Sequence, residues 1–225
     1  MIRLTDYIPE VKAVSAEWVK IRCTFECYPD NALFWVQDED KALISMTDGN
    51  MVIYNNGADS EELSEFVNVI SPCCVFSDLE TLRAIDRIPD EPSLVMVKKA
   101  DVEEALQSDA FSSRQLYDML DVEGLSLPEY QYFAVDICRR LNHNLAQYFA
   151  KSEHCAAISL HTGDYCIMNG IASRKKGGGT LAMNGILGLN KGRTFIACCR
   201  PSVKGFYEKN GFYLAYEAGY WVKNK

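Results

Sequence analysis

Histidine is scarce in this chain, with three among 225 residues, and no C-x-x-C pair accompanies them, so the spacing of a structural zinc site is missing. Basic residues are in deficit as well: 23 Lys and Arg stand against 31 Asp and Glu, a formal net charge of -8. A general nucleic-acid binder needs a basic surface to displace counterions from phosphates, and this composition argues against one. No apolar run approaches the roughly 20 residues of a membrane-spanning helix. The start, Met1 to Tyr7, has no signal-peptide layout. A disulfide framework is not expected either, although there are nine cysteines. Their number is odd, Cys73-Cys74 and Cys198-Cys199 are adjacent pairs in strand-like runs, and Cys138, Cys155 and Cys166 sit at core-type positions. Together these features predict buried, reduced thiols in a cytoplasmic protein without metal, membrane or nucleic-acid partners.

What remains is an ordinary globular composition, 48% hydrophobic and 24% charged. The length suffices for one large domain or two small ones with a real core. The acidic balance suits a cationic ligand, and a solvated surface explains it equally well.

An internal repeat emerges when residues 41–55 are laid over 155–169. Ala42/Ala156, Ile44/Ile158, Ser45/Ser159, Gly49/Gly163, Ile53/Ile167 and Asn55/Asn169 agree without a gap. Both segments read as hairpins around a Gly-containing turn. The first is followed by a predicted helix (61–69), strand (73–76), short helix (79–85) and strand (93–97). The second is followed by a Gly-rich loop, helix (180–189), strand (194–198), helix (202–210) and strands from 212 to 222. The same order in both halves points to a duplication, with the polar stretch near 107–113 as the junction and halves of 1–112 and 113–225. Ahead of the second hairpin, Tyr132, Val135, Cys138 and Leu141 recur at helical spacing, and 145–150 reads as a strand.

Two motifs carry chemistry. Arg174-Lys175-Lys176-Gly177-Gly178-Gly179-Thr180 is an R-x-x-G-x-G pattern between a strand-like and a helix-like run. The first amide hydrogens of a helix have no intrahelical partner and make an anion site. Glycines let the backbone approach phosphate oxygens closely, and Arg174, Lys175 and Lys176 add positive charge. A nucleotide P-loop is excluded, because no Lys precedes Thr180 in the required sense. The second motif is Phe206-Tyr207-Glu208-Lys209-Asn210-Gly211-Phe212, a helix opened by Pro201 and ended by Gly211 as a left-handed cap. Val203, Phe206, Tyr207 and Asn210 share one stripe, so Tyr207 faces the protein. It is either a core tyrosine or a catalytic acid.

In this order and spacing, the two motifs resemble the acyl-CoA-dependent N-acyltransferases of the GNAT superfamily, over roughly residues 130–222. The resemblance implies an α/β (α+β) fold with a mixed, largely antiparallel sheet flanked by helices, in tandem form with a degenerate N-terminal half. It implies transfer of an acetyl or short acyl group from acyl-CoA to a primary amine, small molecule or peptide, by direct attack. Tyr207 matches the family's general acid. Acetyl-CoA or another acyl-CoA would rest on Arg174 to Thr180, with backbone around Asn169 and Ile171 meeting the thioester carbonyl. Arg200, where the family often has Asn, would reach a coenzyme A phosphate. The alternative is a non-catalytic GNAT-like module that binds acyl-CoA or a protein; a homodimer is compatible with either.

An alkylamine with a pKa of about 10.4 is mostly protonated at neutral pH. A base must therefore act, and by position Asp136, His161, Asp164 and Glu217 are candidates. His143 and His154 have no partner legible in the sequence.

Overall fold

A computed structural model describes residues 1–11, 14–38, 40–101, 106–152 and 154–223. Along the first half run β1 (Ile2–Leu4), α1 (Ala16–Cys27), β2 (Leu33–Gln37), β3 (Ala42–Thr47), β4 (Asn50–Asn55), α2 (Ser60–Ile70), β5 (Cys74–Asp78), α3 (Leu79–Ala84) and β6 (Pro92–Lys99). The second half has α4 (Ser113–Leu120), α5 (Tyr130–Asn142), β7 (Ala146–Lys151), β8 (Cys155–Thr162), β9 (Tyr165–Ser173), α6 (Gly178–Leu189) and β10 (Thr194–Cys199). A 3-10 turn (Pro201–Val203), α7 (Lys204–Lys209) and β11 (Tyr213–Val222) complete it. The architecture is the mixed, mostly antiparallel α/β one expected. The chain divides into two compact units. One comprises residues 1–96, 198–207 and 213–225, the other 97–197 and 208–212.

In the first unit β1 to β4 pair antiparallel in sequence order, and β4 pairs parallel with β5. The parallel register runs to Val52↔Phe76, and one residue further Ser77 Oγ donates to the Ile53 carbonyl at 2.7 Å. The far side of β5 takes β11 antiparallel, from Ala218↔Asp78 to Val222↔Cys74. The last strand of the sequence's second half thus completes the sheet of the first unit. Its core gathers Trp35, Ile44, Met51 and Ile53 from the strands with Leu63 and Val67 of α2. Each fully buried side chain of this kind contributes about 1.5–3 kcal/mol. α2 starts where Asp59 accepts the amides of Glu61 and Glu62 and stops at Ser71 in a left-handed conformation.

In the second unit β7, β8 and β9 pair antiparallel, and β10 joins β9 in parallel from Thr194↔Tyr165 to Ile196↔Ile167. Every residue of β8 is buried, which explains its apolar run; α6 and α4 both pack on it. Gly185 of α6 lies against Phe149, where an added Cβ would sit 2.3 Å from the ring.

The predicted hairpins both form, although the ungapped repeat does not carry their register. Ile44 lies opposite Ile53, whereas Ile158 lies opposite Gly170, because the second hairpin is longer and its pairing shifts between Ile158 and Ser159. The stripe through Tyr132, Val135 and Cys138 lies on the exposed face of α5. Phe133, Ile137 and Arg140 are the buried positions. Arg140 is tolerated there because its Nε donates to Asp136 at 2.8 Å, one turn away. All nine cysteines are free. Cys155 and Cys166 are buried, but Cys138 and Cys73 are exposed, which corrects the uniformly buried set expected.

Candidate functional site

The second unit builds the glycine loop from the end of β9. Between Ile158↔Gly170 and Ser159↔Met168, Asn169 has no partner on β8, so the strand bulges there and Asn169 is exposed. β9 continues past its parallel register with β10 through half-buried Ile171 to Ser173 and turns into α6. Gly177 makes that turn with φ +82, a conformation an L side chain rarely adopts, and no atom lies within 4 Å of where its Cβ would be. Gly178, the first helical residue, is enclosed: an added Cβ would stand 2.4 Å from Ser173 Oγ and 3.0 Å from the His154 carbonyl. Gly179 and Thr180 complete the first turn.

Helices α1, α2, α3 and α4 each begin with a side chain accepting an amide, from Ser15, Asp59, Asp78 and Ser112. α6 begins at Gly177 with no side-chain cap. α5 also starts without one, at Glu129, but there the residue is itself acidic. α6 combines a first turn without a side-chain cap with glycines and exposed Arg174, Lys175 and Lys176, the Gly178 amide donating to the Lys175 carbonyl at 3.0 Å. That arrangement fits a phosphate, because the residue able to fill the cradle in the other helices has been replaced by backbone. The basic residues are not equivalent. The Arg174 guanidinium donates to the backbone carbonyl of Asp118, at the end of α4. Lys175 Nζ lies 3.4 Å from His154 Nε2, which gives His154 the partner the sequence withheld.

Tyr207 belongs to the first unit and is 5% exposed, as its stripe predicted, with Phe206 packed edge-on against it at 5.3 Å. Burial, with Cys199 and Cys198 close by, raises its pKa above the ordinary phenol value, so it stays protonated at neutral pH. Gly211 caps the segment with φ +81. Arg200, also in the first unit, is exposed just ahead of the turn at Pro201.

The four proposed bases have different surroundings. Asp136 is held in its ion pair with Arg140. Asp164 is exposed at the tip of the second hairpin, where its carbonyl accepts the Thr194 amide. His161 is buried within β8. Glu217 is exposed on β11. Reading the sequence also missed a buried carboxylate, Glu17 of α1, which is 3% exposed. A Glu two places after an N-capping Ser looks like ordinary first-turn charge, and nothing local announces its burial.

Among the described residues no group of His, Cys, Asp and Glu is placed to hold a metal, and no helix is long and apolar enough to cross a membrane. No family model matches the sequence, and no curated protein resembles it at the level of sequence. Solved structures do resemble it in fold. A GNAT-family acetyltransferase from Colwellia psychrerythraea superposes with a TM-score of 0.51 at 11% identity, covering 99% of this chain and 100% of its own. A tandem GNAT protein from the clavulanic acid biosynthesis pathway gives 0.51 at 9% identity, over 89% of this chain and 86% of its own. A putative acetyltransferase from Pyrococcus horikoshii gives 0.51 at 9% identity, over 91% and 78%. The fold is therefore that of the GNAT acetyltransferases. It includes the tandem arrangement among its likenesses.

Proposed function

We propose that the protein is an acyl-CoA-dependent N-acyltransferase that moves an acetyl or short acyl group to a primary amine. The observation that carries the reading is the uncapped, glycine-lined and basic first turn of α6, in a fold that acetyltransferases use. The cradle and the acid are proposed separately, each on its own residues. Gly177 to Thr180 would hold the pyrophosphate of acetyl-CoA, flanked by Lys175 and Lys176, and the bulged strand at Asn169–Ile171 would offer backbone N–H to the thioester oxygen. Arg200 is kept as a phosphate contact on the motif alone.

Tyr207 would be the acid. The nitrogen lone pair forms the new C–N bond, the C–S pair leaves on sulfur, and the phenol supplies the proton; a proton lost from nitrogen restores it. The parent thiol has a pKa of about 8.5, so the acid must hold its proton until the bond breaks. A phenol whose pKa burial has raised meets that condition. A second reading is a non-catalytic module for acyl-CoA or a protein partner; Arg174, whose guanidinium is already committed to Asp118, favours the protein partner, since it leaves the cradle one cofactor contact fewer.

Calorimetric titration with acetyl-CoA, followed by an amine screen with Tyr207→Phe alongside, tests both. Catalysis by Tyr207 predicts kcat lower by about 10²- to 10⁴-fold with cofactor affinity unchanged. Unchanged turnover in the Phe variant would remove the acid role, and binding without turnover of any amine would leave the module.

A further inference from the structure

Helix α4 runs beside β9 and the glycine loop within the second unit, and two contacts fix its direction. Leu120, its last residue, lies 3.6 Å from where a Cβ on Gly170 would be, next to the strand segment Asn169–Ile171. Asp118, two residues earlier, gives its carbonyl to the guanidinium of Arg174, where the loop begins. Going back along α4 therefore follows the chain outward from strand to loop. One more turn back, about 5.4 Å along the axis, stands Arg114, continuing that line away from Asn169–Ile171.

Arg114 is held in one orientation. Its Nε lies 3.2 Å from Asp118 Oδ1, one turn along the helix. Its guanidinium sits over the ring of Tyr130, 4.5 Å from the centroid, and 5.9 Å from that of Tyr117. Tyr130 is fixed in turn: its hydroxyl is 3.2 Å from Ser113 Oγ, and Tyr117 packs edge-on against its ring at 5.4 Å. An exposed ion pair of this kind adds little to stability. What these contacts achieve is a planar cation laid on an aromatic ring with its other face turned to solvent, the side chain being 58% exposed. Asp118 ties that platform to the glycine loop, because its carboxylate holds Arg114 and its carbonyl holds Arg174.

We propose that the outer face of Arg114 seats the adenine ring of the acyl-CoA; the assignment rests on the acyltransferase reading above. Thioester, diphosphate and adenine follow one another along an acyl-CoA. The second unit offers in the same order the strand backbone at Asn169–Ile171, the loop from Arg174 to Thr180, and Arg114. A guanidinium stacks on a π-face through its plane as well as its charge, and a base carried by the same molecule as the diphosphate is the flat partner at hand. The amine acceptor does not suit this place, since an ammonium ion would bring a second positive charge to Arg114.

Calorimetric titration of the whole chain with acetyl-CoA and with acetyl-4′-phosphopantetheine, which lacks the adenosine, separates platform from cradle. The proteins are the parent, Arg114→Ala and Arg114→Lys. Lys keeps the charge opposite Asp118 but has no plane, and a thermal melt verifies that each variant is folded. The expected result is acetyl-CoA binding weakened about 5- to 10-fold in both variants, with acetyl-4′-phosphopantetheine bound equally by all three. Equal acetyl-CoA affinity in all three proteins overturns the proposal. So does full affinity in the Lys variant, the mark of a charge acting on phosphate. An equal loss for both ligands overturns it as well, because Arg114 would then act through Asp118 and the loop rather than on the base. No acetyl-CoA binding by the parent overturns the platform together with the acyltransferase reading. An Arg114-dependent affinity for acetyl-CoA with no amine acetylated keeps the platform and overturns the transfer reading alone.

Discussion

Gly177 offers a clean way to ask whether α6 binds phosphate. Its Cβ position is open, with no atom within 4 Å, so a longer side chain meets no wall. The cost of any L residue there is conformational, from φ +82, and amounts to about 1–2 kcal/mol of fold stability. Gln and Glu incur that cost equally and differ by one charge. A carboxylate about 6 Å from a phosphate charge, at an effective dielectric between that of bulk water and a protein surface, is repelled by about 1.5 kcal/mol. The Gly177→Glu variant should thus bind acetyl-CoA about tenfold more weakly than Gly177→Gln. Because the loop is exposed, the gap should close as salt shortens the screening length to about 3 Å at 1 M. Calorimetry of the two variants at low and high salt reads the effect directly. Equal affinities at every salt concentration would refute the phosphate cradle, whatever the parent binds.

Two further outcomes follow from packing and titration. Gly178→Ala should destabilise more than Gly177→Ala despite its ordinary φ, because Ser173 Oγ must leave its 2.7 Å bond to the Lys175 carbonyl and the His154 carbonyl must shift. The two terms sum to about 2–4 kcal/mol, measurable by urea denaturation, and equal midpoints for the two alanine variants would contradict the geometry. Glu17 has a folded pKa raised above its unfolded value. Its favourable contribution is therefore full below the unfolded pKa of about 4.3 and is lost as pH rises through the folded value. Glu17→Gln should melt higher than the parent at pH 8, with the difference vanishing towards pH 4; a Gln variant that melts lower at pH 8 would show the carboxylate to be stabilising.

The parts of the molecule legible in sequence were those whose conformation a residue type enforces. Gly177 and Gly211 mark positive φ, Pro201 opens a helical turn, and Tyr207 turns inward as its stripe predicted, although Val203 of the same stripe is exposed. On α5 the periodicity failed, since two stripes one residue apart, through Tyr132 and through Phe133, both repeat at helical spacing. Packing chose the second even though it buries Arg140, whose charge Asp136 offsets. Glu17 and Tyr216 are 199 residues apart in sequence and meet only through the pairing of β11 with β5. Arg174 was readable as a positive charge but not as a donor to Asp118, because a carbonyl at the end of a helix has no signature in the side chains around it.

The placement of β11 beside β5 has a consequence for biogenesis. Residues 1–96 emerge from the ribosome before the second unit, with one side of β5 still bare between Cys74 and Asp78, and the strand that covers it is made only after residues 97–197. The first unit cannot close as it is made, whereas β7 to β10 of the second lie close together in the chain and need no distant strand to pair. A local arrangement forms quickly and a long-range one slowly. The later part of the chain can thus fold before the earlier part is finished, and until then an exposed sheet edge must be kept from pairing with other chains.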